Sequence, residues 1–153
     1  MSKRNLAGLI FTIFIFAAAA GAQNISGSIT GGAVTRGGSA RGMITMSIPG
    51  GLHVNSDRPS SEYSIPTTVS ISSRGVKISR VSYPRGANRK FGFSETPINV
   101  YQGTVRFPFT VTVPAKYRGR TISLRAVVRY QACTNEVCYP PKNKEITFTA
   151  RVR

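Results

Sequence analysis

The sequence predicts an all-β protein, an immunoglobulin-like antiparallel β-sandwich, on three observations. Apolar and polar residues alternate over three long stretches, Gly and Pro punctuate shorter apolar segments, and nothing beyond residue 22 sustains the 3.6-residue period of an amphipathic helix. About seven short strands within roughly 110 residues suit two packed antiparallel sheets.

The long strands lie in the second half. Residues 104–113 (TVRFPFTVTV) put Val105, Phe107, Phe109, Val111 and Val113 on one face. Residues 121–132 do the same with Ile122, Leu124, Ala126, Val128, Tyr130 and Ala132, and residues 145–152 with Ile146, Phe148, Ala150 and Val152. Each therefore presents one face to a core. Pro108 interrupts the first of them, and a residue with no amide hydrogen belongs at a sheet edge or a bulge. Shorter strands are expected over Met43–Ile48, Leu52–Asn55, Thr68–Ser73 and Val76–Tyr83, separated by Pro49-Gly50-Gly51, Pro59, Gly75 and Pro84.

The N-terminus reads differently. Lys3 and Arg4 precede a run of 15 residues, LAGLIFTIFIFAAAA, and Ala20-Gly21-Ala22 supplies the small residues that signal peptidase accepts. The run falls short of the roughly 20 residues a helix needs to cross a bilayer. Residues 1–22 are therefore expected to be a secretory signal peptide, removed to leave 131 residues in an exported, periplasmic and oxidising compartment. Ser26–Gly42 (SGSITGGAVTRGGSARG) carries six glycines in 17 residues and little apolar bulk beyond Ile29 and Val34, so residues 23–42 are expected to form a flexible arm. The sandwich is expected over residues 43–153.

Without the leader, 19 basic residues face five acidic ones, a net charge of +14. The cations are scattered from Arg36 to Arg153, with only short clusters such as Arg89-Lys90 and Lys116–Arg120. Scattered charge on strand faces of an exported protein speaks against nucleic acid as the target. It favours acidic partners or an anionic envelope surface.

The chemistry must come from YQACTNEVCYPP, residues 130–141, which holds the only two cysteines, Cys133 and Cys138. In the strand from Thr121 the even positions are apolar, so Cys133 falls on the outward, odd-numbered series and is expected outside the core. Thr134–Val137 form a short connection, placing the two sulfurs across the end of a hairpin. A disulfide closing so small a loop contributes on the order of 2 kcal/mol. That is poor value for a staple and suits a bond that opens and closes at the surface, although a structural hairpin disulfide stays open as a reading. A closed zinc site needs four ligands, whereas His53 and the two cysteines make three. Cys/His nucleophilic catalysis would require His53 to approach a cysteine, and its Gly-Gly-Leu-His-Val context at a strand entry gives no sign of that.

The cysteine segment resembles that of the N-terminal periplasmic domain of thiol:disulfide interchange protein DsbD, with an aromatic-Gln-x-Cys stretch, a short loop, a second Cys and a Pro-Pro pair. Three weaker stretches follow the same order: Pro49–Asn55 as a Gly-x-His strand entry, Val81–Gly86 as a Pro-x-Gly turn, and Val100–Gly103 as Val-Tyr-x-Gly. The resemblance covers Met43 to Val152. It implies an immunoglobulin-like domain that takes electrons from a thioredoxin-like or DsbD-type membrane donor and passes them to periplasmic disulfide-containing proteins. It would act only with partner proteins and without cofactor or metal. Carried over, Cys133 and Cys138 are the redox pair, the second cysteine forming the mixed disulfide and the first resolving it. Phe91 or Phe93 matches by position the aromatic of a cap loop over the disulfide. Full-length members continue into a multi-span membrane region and a thioredoxin-like domain, neither of which is in these 153 residues, so the resemblance implies a stand-alone form. The reading from a different class is a non-enzymatic basic envelope-binding domain whose small disulfide is structural.

Overall fold

A computed structural model describes residues 23–153 except Glu62, so the expected signal peptide, residues 1–22, lies outside the described residues. Two four-stranded sheets enclose the main core. One has the order β1 (Asn24–Ile29), β3 (Ser39–Ser47), β9 (Thr104–Thr112), β6 (Lys77–Ile78); the other has β2 (Ala33–Val34), β12 (Lys142–Val152), β10 (Thr121–Tyr130), β5 (Thr68–Ser72). All pairings are antiparallel except β2 with β12. The alternation read from the sequence is the alternation that packs: Val105, Phe107, Phe109 and Val111 of β9 meet Ile122, Leu124, Ala126, Val128 and Tyr130 of β10 in one buried cluster. This is the expected all-β antiparallel sandwich.

A third sheet, β11 (Ala132–Cys133), β4 (His53–Asn55), β8 (Ile98–Tyr101), β7 (Ala87–Arg89), forms at one end where strands of both layers run on. From the first layer β3 leads into β4, and β8 leads into β9 through Gln102-Gly103. From the second, β10 leads into β11 after the single residue Gln131. Gly103 turns with φ +65° and its carbonyl accepts the Ile48 amide at 2.8 Å, tying the third sheet to the first.

The expected flexible arm is structured. Residues 24–29 pair in unbroken register with 42–47, and Ile25, Ile29 and Val34 are buried. Glycine here gives room: a Cβ on Gly27 would lie 2.4 Å from the Phe148 ring, and one on Gly42 2.1 Å from Phe109. The glycines that read as flexibility are seats for aromatic rings of neighbouring strands. The sandwich accordingly starts at Asn24, and β3 starts at Ser39 and not at Met43.

The expected strand over Val76–Tyr83 shortens to β6, after which the chain continues irregularly beside β9. The Ser79 amide donates to the Thr110 carbonyl and the Ser82 amide to the Pro108 carbonyl, so three residues on one side span two on the other. That bulge-like mismatch falls where Pro108 has no amide to offer, in keeping with the expectation for this proline.

Candidate functional site

The site is built on the third sheet, whose two faces have different fates. Val54, Tyr101 and Ala132 point into the main core. Register puts the alternate residues on the opposite face: Cys133 stands opposite His53, and Asn55 opposite Val100. Ile98 and Val100 there form a small separate cluster with Phe91.

Phe91 comes from the segment Lys90–Pro97, the tip of the β7–β8 hairpin. Arg89 pairs with Ile98, so the tip begins beyond the far end of β8. It folds back over the sheet face. The Phe91 ring stacks on His53, centroids 3.9 Å apart and planes 9° from parallel, and Phe93 lies parallel beside the pair, 5.5 Å from Phe91 and 6.4 Å from His53. A Cβ on Gly92 would sit 3.9 Å from the Asn135 carbonyl, which places this segment against the cysteine loop. The tip is held by the Ser94 amide donating to the Phe91 carbonyl and the Ser94 hydroxyl donating to that of Thr96.

Cys133 and Cys138 form a disulfide, Cα atoms 4.0 Å apart, at the mouth of a tight hairpin. The Thr134 amide donates to the Val137 carbonyl and the Tyr139 amide to that of Ala132, both at 2.8 Å. The Thr134 hydroxyl accepts from the amides of Glu136 and Val137, which is why a small hydroxyl residue suits the position after Cys133. Gln131 donates from Nε2 to the Tyr139 carbonyl, fixing the outgoing strand.

The two cysteines differ sharply in environment. Cys138 is exposed, as are Val137 and Tyr139 on either side of it. Cys133 is wholly buried. This corrects the expectation that it faces outward into solvent: Cys133 does continue the odd-numbered series and points away from the main core, but β11 has crossed to the third sheet, whose outer face carries a cover. Alternation along one strand reports which face a residue occupies and is silent about what lies on that face.

Nothing in the sequence signalled that His53 approaches a cysteine, and the register corrects that by setting it beside Cys133. His53 is 1% exposed, directly cross-strand from Cys133, and its Nε2 has no hydrogen-bond partner among the described residues. Burial lowers its pKa from 6.5, so the ring is neutral at neutral pH. Its aromatic neighbours are Phe91 and Phe93. The sheet's core-facing side is braced by Tyr101, whose hydroxyl donates to Asp57 Oδ1 at 2.6 Å and lies 3.0 Å from the Pro84 carbonyl. Burial first, then the Asp57 contact, raises the phenol's pKa, leaving it a donor throughout the physiological range. Through Pro84, and through its cross-strand pairing with Val54, Tyr101 ties together the three weaker stretches singled out in the sequence.

Residues 31–150 match the family model described as thiol:disulfide interchange protein DsbD, N-terminal. No curated protein matches the chain in sequence. Among solved structures, the N-terminal periplasmic domain of ScsB from Proteus mirabilis shares the fold with a TM-score of 0.53 at 11% identity, over 84% of this chain and 46% of that one. The N-terminal domain of DsbD from Neisseria meningitidis, in the reduced form, aligns over 72% of this chain and 77% of that one, with 18% identity and a TM-score of 0.45. No helix of the described residues is long and apolar enough to cross a membrane.

Proposed function

Because this chain belongs to the family of DsbD N-terminal domains, we propose that it is an exported, periplasmic thiol:disulfide exchange module working through Cys133 and Cys138. The observation that carries the reading is the asymmetry of the pair: Cys133 is wholly buried, cross-strand from the His53 on which Phe91 stacks, whereas Cys138 is exposed between two exposed apolar residues. A structural staple needs no such division, whereas an exchanging pair needs one sulfur that meets partners and one that waits.

In the reduced module the Cys138 thiolate attacks one sulfur of a partner disulfide. A Cys138–partner bond forms, the partner's S–S bond breaks, and its second sulfur leaves as a thiolate that takes up a proton. Cys133, as thiolate, then attacks Sγ of Cys138, restoring the intramolecular disulfide and expelling the partner's remaining sulfur. Two electrons pass from the module to the partner, which ends as a dithiol. A thioredoxin-like or DsbD-type membrane donor re-reduces the module by the reverse sequence, and disulfide-containing periplasmic proteins are the acceptors. Phe91 is the cap, since it is the buried ring stacked on His53, the cross-strand neighbour of Cys133, and Phe93 lies more exposed beside it. Val137 and Tyr139 supply apolar contact to whichever partner approaches Cys138.

The test is trapping. Cys133→Ser, lacking the resolving thiol, should accumulate mixed disulfides through Cys138 in an oxidised periplasmic extract, and Cys138→Ser far fewer. Equal trapping would reject the assigned order. Trapping by neither, with the wild-type disulfide resistant to a thioredoxin-like reductant, would leave a structural staple and favour a basic envelope-binding domain.

A further inference from the structure

The exchange reading leaves the sole histidine unexplained, and three observations converge on it. His53 is the direct cross-strand partner of Cys133, so the two side chains leave the same sheet face with Cβ atoms roughly 5 Å apart. Its buried Nε2 has no hydrogen-bond partner among the described residues while Cys133 is held in the disulfide. The Nε2 atom is itself fully buried, which keeps bulk water from serving as a donor to it, and Phe91 covers one face of the ring. We propose that His53 is a positioning residue for Cys133: in the reduced module the Cys133 S–H donates to Nε2, and during resolution the imidazole takes that proton. The proposal rests on the exchange reading for its purpose, but its chemistry concerns the cysteine pair alone.

The redox consequence follows from the orphaned nitrogen. A buried acceptor without a partner raises the free energy of the state that contains it, and here that state is the oxidised one. Reduction supplies the missing donor. His53 therefore favours the dithiol, making the disulfide easier to reduce, and a thiol being a weak donor sets the effect at about threefold to tenfold in the thiol–disulfide equilibrium constant, the upper end equal to about 30 mV for a two-electron couple.

In the kinetic step, Cys133 S–H gives its proton to Nε2 as its sulfur bonds to Cys138 Sγ and the Cys138–partner bond breaks. The imidazolium then hands the proton to the departing thiolate, so no net proton is gained or lost by His53. Burial disfavours thiolate and imidazolium singly, but a contact pair of opposite charge suffers less. Phe91 and Phe93 lie against His53, Cys133 stands across the strand from it, and burial alone lowers its pKa, with no charged side chain contributing.

The experiment equilibrates wild type, His53→Phe and His53→Gln with glutathione redox buffers and measures Cys133 resolution of a preformed Cys138–glutathione mixed disulfide against pH. Phe keeps the stack on Phe91 without an acceptor; Gln keeps an acceptor that cannot take a proton. His53→Phe should be three to ten times harder to reduce and should resolve more slowly at pH 7. His53→Gln should hold the wild-type equilibrium within about twofold but share the slow resolution. Wild-type equilibrium and pH profile in a folded His53→Phe would overturn the proposal. Should that variant not fold, the wild type decides: as the only histidine, His53 gives one set of imidazole ¹⁵N resonances, and its Nε2 signal must move between oxidised and reduced protein. An unchanged signal sinks the idea. Glutathione reads the pair without any partner protein, so failed trapping with an altered His53→Phe equilibrium would count against the relay function alone.

Discussion

Phe91→Ala should speed reduction of the Cys133–Cys138 disulfide by dithiothreitol about tenfold to a hundredfold. The Phe91 ring is 8% exposed, packed on Ile98 and Val100 and stacked 3.9 Å from His53. Burying a phenylalanine side chain contributes about 1.5–3 kcal/mol, and a stacked aromatic pair roughly 0.5–1.5 more. A thiol that attacks the Cys133 sulfur must first lift this ring away, a penalty of about 2–4 kcal/mol, with each 1.36 kcal/mol worth a factor of ten in rate. Cys138 is exposed, so attack on its sulfur bypasses part of the barrier and holds the gain below the thousandfold that the upper figure would allow. Phe93→Ala should change the rate less than threefold, because that ring is 42% exposed and lies farther from His53 than Phe91 does. The assay is pseudo-first-order reduction followed by thiol alkylation and mass shift, at a temperature where circular dichroism shows each variant folded. An unchanged rate in folded Phe91→Ala would refute the cap, and an equal effect from Phe93→Ala would refute the choice between the rings.

The exported protein should begin at Gln23, and an intact mass from the native host that still contains residues 1–22 would refute the signal-peptide reading. Gly42→Ala should cost about 1–3 kcal/mol in urea denaturation, as overpacking does, since its Cβ would meet the Phe109 ring; Gly50→Ala, with open space around it, should be neutral. His53 also sets a pH dependence. Burial lowers its pKa, so near pH 6.5 the unfolded chain takes up a proton that the folded chain accepts only at lower pH. Stability is therefore full above 6.5 and declines as pH falls through the window below it. Urea titrations at about pH 7.5 and 5.5 should show the decline in wild type and a smaller one in His53→Phe; equal slopes would contradict it.

How much of this was legible depends on what kind of information each feature needs. The β9, β10 and β12 strands were readable because each buries one whole face, and a period of two is then forced on the sequence. Strands β7 and β8 are short and lean on neighbours, so no period accumulates. The N-terminal strand was misread for a subtler reason. Glycine counts against burial when composition is summed, yet Gly27 and Gly42 are small because Phe148 and Phe109 occupy the space above them. That requirement arises from residues more than 60 positions away, and no local window contains it. A usable signal was present in Ile25, Ile29 and Val34, spaced too irregularly to register as a strand but each apolar among glycines.

The site shows the same division between parity and cover. Counting from Thr121 placed Cys133 on the face away from the core, and it is there; that face also carries a hairpin tip from some 40 residues earlier, whose Phe91 stacks on the neighbouring His53. The pairing of His53 with Cys133 likewise depends on β4 and β11 being neighbours, a fact of topology. Both strands could be proposed from sequence, but their adjacency could not. What sequence did offer was a lone histidine in an otherwise apolar strand entry, at a position where a fully buried imidazole leaves a nitrogen needing a partner. A buried polar group without one is costly enough that its presence calls for a state of the protein in which the partner arrives. In this fold the group placed to supply it is the Cys133 thiol, present only when the disulfide is open.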